Sequence, residues 1–274
     1  MATITVGGQT AGIAAGADAV WVGNFQDGSV AEIDPATNRV VGHVATGGRP
    51  VGPALGDGAL WVSNLDGSVE RIDLPTRRVV ARIPVGGGAE VTAIGFGLVW
   101  STNEDGTVST IDPATNARVG TPIRVDRDVD GISIGPDGVW VTTFDAGTLA
   151  KIDPASRRIV LRKTLAGRAG GVLVVAGSVW DTLYDRALLE RRDPATGALQ
   201  AATRVGRQPR EIAEGAGSLW VVNQASASVS RYDAAGVSAS AGSGASSGSL
   251  AAGASSVAGT LFAAAARAAW VPAP

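Results

Sequence analysis

Residues 59–86 read ALWVSNLDGSVERIDLPTRRVVARIPVG, and this unit recurs along most of the chain. Its tryptophan has counterparts about forty residues apart, at Trp21, Trp61, Trp100, Trp140, Trp180 and Trp220. An Ile-Asp-Pro-Ala-Thr stretch or a close variant lies about twelve residues after the first five, with its aspartate at Asp34, Asp73, Asp112, Asp153 and Asp193. Self-similarity at this period is typical of repeat architectures, so the repeat must be interpreted before any single residue.

Each unit contains four short segments with the character of β-strands. The first is a small-residue segment such as 12–16, the second an apolar run such as 20–22, the third an alternating segment such as 108–112, and the fourth the half-polar Arg-Val-Val-x-x-Ile type. Asp-Gly pairs predict hairpin turns between the second and third segments. Asp-Pro-Ala-Thr predicts a type I turn before the fourth, with the aspartate capping a backbone amide. Four antiparallel strands per unit predict an all-β fold, a β-propeller whose tryptophans pack between neighbouring blades.

The number of blades depends on the chain ends. Residues 1–236 are predicted to form the propeller, with six complete blades if Ile4–Val6 pairs with Val229–Asp233. Residues 237–274 are rich in Ala, Gly and Ser and are interpreted as a tail, either a linker or a degenerate partial blade. Trp270 stands 50 residues after Trp220, so the alternative is a seven-bladed ring with an incomplete last blade.

Composition restricts the function classes. The formal net charge of −2 argues against a mainly electrostatic grip on nucleic acid, and no apolar run is long enough to be a transmembrane segment. The chain contains no cysteine and a single histidine, His43, so no catalytic set that needs Cys or two histidines can be assembled. No signal peptide is visible, but the chain starts in mid-repeat, which is consistent with a fragment whose upstream part carried one.

The candidate ligand site consists of residues that break the repeat in the loops at one face. The position three residues after the tryptophan is asparagine in four copies but Thr143 and Leu183 in the fourth and fifth. Irregular aromatic and charged residues gather in these loops and their neighbours: Phe144, Asp145, Arg168, Tyr184, Asp185, Arg210 and Glu90. Function often resides in loops on a rigid scaffold, so we expect these residues to form a ligand patch at the mouth of the central channel.

Asp126, Asp128 and Asp130 form a second candidate, for Ca²⁺ or Mg²⁺. Three carboxylates within five residues match the opening of a calcium loop. The repeat assigns the following residues to an innermost strand, so a helix–loop–helix site is excluded. The remaining alternatives are a divalent-ion site of another geometry at the channel mouth, and carboxylates that are solvated or paired with Arg127 and Arg168.

The unit Leu-Trp-Val-x-Asn…Asp-Gly-x-Val-x-Arg-Ile-Asp-Pro-Ala-Thr…Val-x-Val-Gly-Gly resembles the bacterial YVTN-type repeat propellers, and is similar to the propellers of the streptogramin (virginiamycin B) lyase family. The resemblance covers residues 1–233. It implies a propeller that serves as a binding or scaffold module, often outside the cytoplasm, for a protein, peptide or glycan. We expect such a module to be a monomer without a cofactor.

The lyase branch of this resemblance implies a different function. Those enzymes use histidine and a magnesium ion in elimination, whereas this chain has only His43, on a strand predicted to be outermost. A second histidine is missing, so the general base of such a lyase has no counterpart. A divalent-metal-dependent lyase or hydrolase therefore stands as the alternative to a non-catalytic binding module.

Overall fold

The computed structural model describes residues 3–233, which form six small antiparallel sheets arranged in a ring. The predicted all-β, six-bladed propeller is thus confirmed. No helix in the described part of the chain is long and apolar enough to cross a membrane. Trp270 and the predicted tail domain, 237–274, lie outside the described residues.

The strands follow the repeat, with the innermost strand first in each blade. Blades one and two contain β1 (Thr10–Ala15), β2 (Val20–Asn24), β3 (Ser29–Asp34), β4 (Arg39–Ala45), β5 (Pro50–Gly56), β6 (Ala59–Asn64), β7 (Ser68–Asp73) and β8 (Arg78–Pro84). Blades three and four contain β9 (Ala89–Gly95), β10 (Leu98–Asn103), β11 (Thr107–Asp112), β12 (Ala117–Arg118), β13 (Ile123–Arg124), β14 (Val129–Ile134), β15 (Val139–Thr143), β16 (Thr148–Asp153) and β17 (Arg158–Thr164). Blades five and six contain β18 (Ala169–Val175), β19 (Ser178–Leu183), β20 (Leu188–Arg192), β21 (Leu199–Arg204), β22 (Pro209–Gly215), β23 (Ser218–Asn223) and β24 (Ser228–Asp233).

The repeated aspartate caps the turn between the third and fourth strands, as predicted. In blade one, Asp34 Oδ1 accepts a hydrogen bond from the Ala36 amide at 2.8 Å, and Oδ2 accepts one from the Thr37 hydroxyl at 2.8 Å. These bonds, that of the hydroxyl above all, lower the pKa of Asp34. The aspartate is thereby held as a charged acceptor for turn amides, which is a structural role rather than a catalytic one.

The Asp-Gly hairpins require their glycine. Gly67 has a φ of +87°, and a Cβ there would lie 2.1 Å from the Gly86 carbonyl oxygen. The preceding Asp66 accepts hydrogen bonds from the amide and the hydroxyl of Ser68, at 3.2 and 2.7 Å. Only glycine combines this left-handed backbone with so close an approach of another chain segment.

The tryptophans fill the interfaces between blades. Trp21 packs with Leu60 and Val62 of blade two, and Trp100 packs with Val139 and Val141 of blade four. The first five tryptophans are fully buried, whereas Trp220 is half-buried. The row of tryptophans is therefore core, as the sequence indicates, and it holds each sheet against the next.

Two details of the outermost strands differ from the expectation. In blade three this strand is split into β12 and β13, which both pair with β11. The intervening segment contains Gly120, with a φ of +59°, and Pro122, which has no amide to donate to a ladder. The split therefore follows from a local sequence that cannot continue a regular strand.

Blade six has three strands within residues 3–233. The expected pairing of Ile4–Val6 with Val229–Asp233 is not formed, and residues 4–6 are not a strand. The segment instead lies against blade one, where the Asn24 side chain donates a hydrogen bond to the Val6 carbonyl at 2.8 Å. Among residues 3–233 no strand pairs with the outer edge of β24, and Val229 on this strand is 59% exposed.

Candidate functional site

A hydrogen bond repeated in all six blades positions the loops of one face. The amide of the fourth residue after each tryptophan donates to the carbonyl of the residue immediately before the innermost strand, at 2.8–3.1 Å. The six pairs are Phe25–Gln9, Leu65–Arg49, Glu104–Gly88, Phe144–Asp128, Tyr184–Arg168 and Gln224–Gln208. Each blade therefore presents two residues at an equivalent place, and the residue types that occupy these places differ from blade to blade.

In blades four and five these positions form a compact aromatic and cationic cluster. The rings of Phe144 and Tyr184 meet edge to face, with centroids 4.9 Å apart. The Arg168 guanidinium lies over both rings, 5.1 Å from the Phe144 centroid and 5.0 Å from that of Tyr184. Arg210, from blade six, lies over Phe144 at 4.3 Å. Four of the predicted site residues are thus connected through contacts with the Phe144 ring.

The fifth member of the cluster is Asp130. Arg210 Nη2 donates to Asp130 Oδ1 at 2.6 Å, and only 4% of the Arg210 residue surface is exposed. Both residues are second in their innermost strands, β22 and β14, and β18 of blade five lies between these strands. The corresponding residue of β18 is Gly170, and a Cβ there would point at Thr182 and the Arg210 backbone. Phe144, Arg168, Tyr184, Arg210 and Asp130 are referred to below as the mouth cluster.

A small cavity adjoins the mouth cluster on the ring axis. It offers about 10 Å³ to the centre of a water-sized sphere, and it is lined by residues of the innermost strands β9, β14, β18 and β22. Its carboxylate-bearing residues are Asp130 and Glu211. Asp130 therefore connects the cavity to the cationic and aromatic groups at the mouth.

The remaining predicted ligand-binding residues are less closely associated with the cluster. Asp185 accepts a hydrogen bond from the Arg168 backbone amide at 3.1 Å, so its carboxylate lies beside the cluster. Asp145 follows Phe144 and is exposed. Glu90 is buried in the innermost strand β9, and its carbonyl accepts a hydrogen bond from Ser63 of the preceding blade at 2.6 Å.

The three carboxylates of the predicted metal site have different surroundings. Asp126 accepts a hydrogen bond from the Thr148 hydroxyl at 3.2 Å and lies 3.5 Å from Arg162, on the outermost strand. Asp128 is buried with a φ of +62°, and Asp130 pairs with Arg210. Within residues 3–233 no group of three or more His, Asp or Glu side chains is arranged to hold a metal ion.

His43 is exposed on the outermost strand β4, opposite Ala31 of β3. The mouth cluster consists of residues of the innermost strands and of the loops that flank them, so His43 is not part of it. Its position agrees with the sequence-based prediction of a histidine outside the channel loops.

Sequence analysis missed a second aromatic and cationic pair at the same face. The Arg49 guanidinium lies over the Phe25 ring at 5.2 Å. Arg49 precedes the innermost strand of blade two as Arg168 precedes that of blade five, and Phe25 has the place in blade one that Phe144 has in blade four. The sequence signal that could have indicated this pair is that both residues occupy the same repeat positions as Arg168 and Phe144.

A buried ionic network within blade five was also missed. Arg192 Nε donates to Asp181 Oδ1 at 2.6 Å, and Arg192 also pairs with Glu190. Burial raises the pKa of Asp181 to about 7, with Glu190 adding to the rise and Arg192 opposing it. The pattern that could have indicated it is a charged residue directly after Trp180, where four of the other copies have valine.

The class of protein defined by this architecture is the six-bladed β-propeller, and the comparisons with known proteins agree with it. No protein-family profile and no curated protein matches the chain. Among solved structures, the chain is similar to a chain of Kuenenia stuttgartiensis hydrazine synthase, with a TM-score of 0.55, 14% identity, and coverage of 80% of this chain and 93% of that one.

Two further solved structures resemble the chain more closely in shape. The computationally designed Ika8 protein has a TM-score of 0.70 and 14% identity over 85% of this chain and 74% of that one. A chain of the mitotic checkpoint complex has a TM-score of 0.70 and 10% identity over 78% of this chain and 70% of that one. Identities this low show a shared fold and carry no information on ligand or activity.

Proposed function

We propose that the protein is a non-catalytic, YVTN-type repeat propeller of bacterial origin that binds a protein, peptide or glycan through the mouth cluster. The observation that carries the proposal is the contact network of Phe144, Tyr184, Arg168 and Arg210, which come from three consecutive blades. These residues depart from the repeat, and yet the fold brings them together.

The chemistry of the cluster suits recognition. Aromatic residues and arginine are enriched where proteins bind their partners, and such anchors supply most of the binding energy. Phe144 and Tyr184 are half-buried and Arg168 is exposed, so the cluster is reachable from solvent while its base is fixed. Arg210 and Asp130 supply that base as a buried ion pair.

The mouth cluster contains no histidine, and this fits a binding role better than acid–base catalysis. The only histidine, His43, is on β4 and away from the mouth cluster. The carboxylate of Asp130 is engaged in a hydrogen-bonded ion pair with Arg210. The resemblance to YVTN-type propellers further suggests a monomer that acts outside the cytoplasm, as one module of a larger system.

The test is a parallel screen of the full chain against a random peptide library and a glycan array. Ligands are then measured on Tyr184→Ala, with Phe25→Ala as the control because Phe25 occupies the equivalent place in blade one. We expect at least a tenfold loss of affinity in Tyr184→Ala and less than a twofold change in the control. Ligands that bind both variants equally well would refute the assignment of the site.

A further inference from the structure

We propose that Arg168 binds the carboxylate of an acidic side chain in a peptide ligand. This inference rests on the proposed function and specifies the ligand of the same site. Arg168 is exposed, and within residues 3–233 its guanidinium forms no ion pair and no hydrogen bond. It is therefore the charged group of the mouth cluster that the fold has not already neutralised.

The two aromatic rings orient this guanidinium. The Arg168 guanidinium carbon lies 5.1 and 5.0 Å from the ring centroids of Phe144 and Tyr184, and contact with two rings inclined at 71° restricts its position. The rings accept no conventional hydrogen bond, so the N–H donors in the guanidinium plane remain available to a ligand. A planar fork of donors fits a carboxylate with two parallel hydrogen bonds, which a lysine in the same place does not offer.

The neighbouring charges do not satisfy Arg168. Arg210 is neutralised by Asp130, at 2.6 Å. The Asp185 carboxylate lies nearby, but it accepts its hydrogen bond from the Arg168 backbone amide and not from the guanidinium. One further carboxylate, supplied by a ligand, complements the side chain.

The geometry favours a peptide over a sugar or a free small molecule. Sugar recognition by aromatic stacking needs an accessible ring face, but two guanidinium groups lie over the Phe144 ring. A small ligand needs a pocket that buries most of its surface, whereas Arg168 is exposed. A peptide gains its affinity over a wider surface and anchors one acidic side chain at the open guanidinium.

The test selects binders from a library of random linear peptides whose C-termini are fused to the display particle, so that only side chains supply carboxylates. We expect the binders to share an aspartate or glutamate. Changing that residue to the amide should lower affinity at least tenfold on the wild-type protein and less than twofold on Arg168→Gln. Arg168→Lys should recover less than half of the lost affinity on a logarithmic scale, because the charge remains and the planar fork is lost.

Arg49→Gln is the matched control, since Arg49 stacks on Phe25 at the equivalent place of the ring, and it should leave affinity unchanged. Binders that lack a common acidic residue but lose affinity in Tyr184→Ala would overturn the carboxylate inference and leave the proposed function standing. The peptide inference is likewise overturned, and the proposed function retained, if an oligogalacturonate binds in an Arg168-dependent way and no acidic peptide does. Binders insensitive to both Tyr184→Ala and Arg168→Gln, or no binder in either class, would overturn both.

Discussion

Arg210 in blade six and Asp130 in blade four are joined by a 2.6 Å hydrogen bond that passes over blade five. Adjacent blades contact one another through their innermost strands, whereas this bond joins two alternate blades directly. The pair couples blades that are not neighbours and holds Arg210 against the Phe144 ring.

Removal of Asp130 is predicted to be strongly destabilising. In Asp130→Ala the Arg210 guanidinium remains buried without its carboxylate, and the loss of one partner of a buried pair costs about 3–5 kcal/mol. Urea denaturation followed by tryptophan fluorescence measures the loss. Arg162→Ala is the control, because Arg162 pairs with Asp126 at 3.5 Å near the surface, and such pairs contribute about 0–1 kcal/mol. Equal losses in the two variants would contradict the buried pair.

The close packing around Gly170 is predicted to exclude any larger residue at this position. A Cβ there would lie 2.7 Å from the Arg210 carbonyl oxygen and 2.6 Å from the Thr182 hydroxyl. Gly170→Ala therefore forces blades five and six apart, and we expect a loss of about 1–3 kcal/mol, as for other overpacked cores. Gly215→Ala is the matched control at the end of β22, where the nearest atom would be 3.8 Å away. A Gly170→Ala variant as stable as this control would disprove the close approach.

The stability of the propeller is predicted to fall as the pH rises from about 4 to 7. Burial raises the pKa of Asp181 to about 7, so in this range the folded state keeps a proton that the unfolded chain has released. The stabilisation is complete below the ordinary pKa near 3.8 and is lost as the pH passes the folded value. One such group contributes a slope of up to about 1.4 kcal/mol per pH unit.

The measurement is the free energy of unfolding at pH 4.5, 5.5, 6.5 and 7.5 for the wild type and for Asp181→Asn. The amide does not titrate, so this variant should lose most of the slope. Asp137→Asn serves as the control, since Asp137 is an exposed partner of Lys151 and should leave the slope in place. Parallel curves for the wild type and Asp181→Asn would exclude Asp181 as the group responsible.

Two tryptophans with the same hydrogen bond are predicted to contribute differently to the free energy of unfolding. Trp100 Nε1 donates to the Gly95 carbonyl at 3.0 Å, and Trp220 Nε1 donates to that of Gly215 at 2.9 Å. Trp100 is 0% exposed whereas Trp220 is half-buried. Trp100→Ala should cost about 3–5 kcal/mol, the range for a fully buried aromatic, and Trp220→Ala clearly less. Chemical denaturation compares them directly, and a larger loss for Trp220→Ala would be the contrary result.

Local sequence signals predicted the regular part of the fold. The apolar runs around Trp61, the Asp-Gly hairpin at Gly67 and the Asp-Pro-Ala-Thr turn at Asp34 each depend on interactions within one unit, and repetition reinforces them. Breaks in the repeat likewise indicated Phe144 and Tyr184, because equivalent positions in a propeller occupy equivalent places in the ring. The contact between their rings follows from neighbouring blades.

The contacts that escaped prediction depend on how strands and blades are arranged in three dimensions. The bond from Arg210 to Asp130 joins blades four and six, and neither charged residue by itself indicates a partner two blades away. The network of Asp181 and Arg192 requires knowledge of which face of β19 is buried. The predicted pairing of residues 4–6 with the last strand was also wrong. Their sequence matches the end of a fourth strand, but this match does not specify which blade they contact.

The amide–carbonyl bond that recurs at the mouth holds the backbone of equivalent loop residues in the same place in every blade. The side chains at these places can therefore change, and with them the ligand, without any change in the scaffold. Phe25 and Arg49 already reproduce half of the arrangement around Arg168, and the place that corresponds to Tyr184 is occupied by Leu65. Leu65→Tyr would therefore provide a second aromatic platform three blades from the first. A propeller of this kind can acquire a new specificity, or a second valency, through one or two substitutions in surface loops.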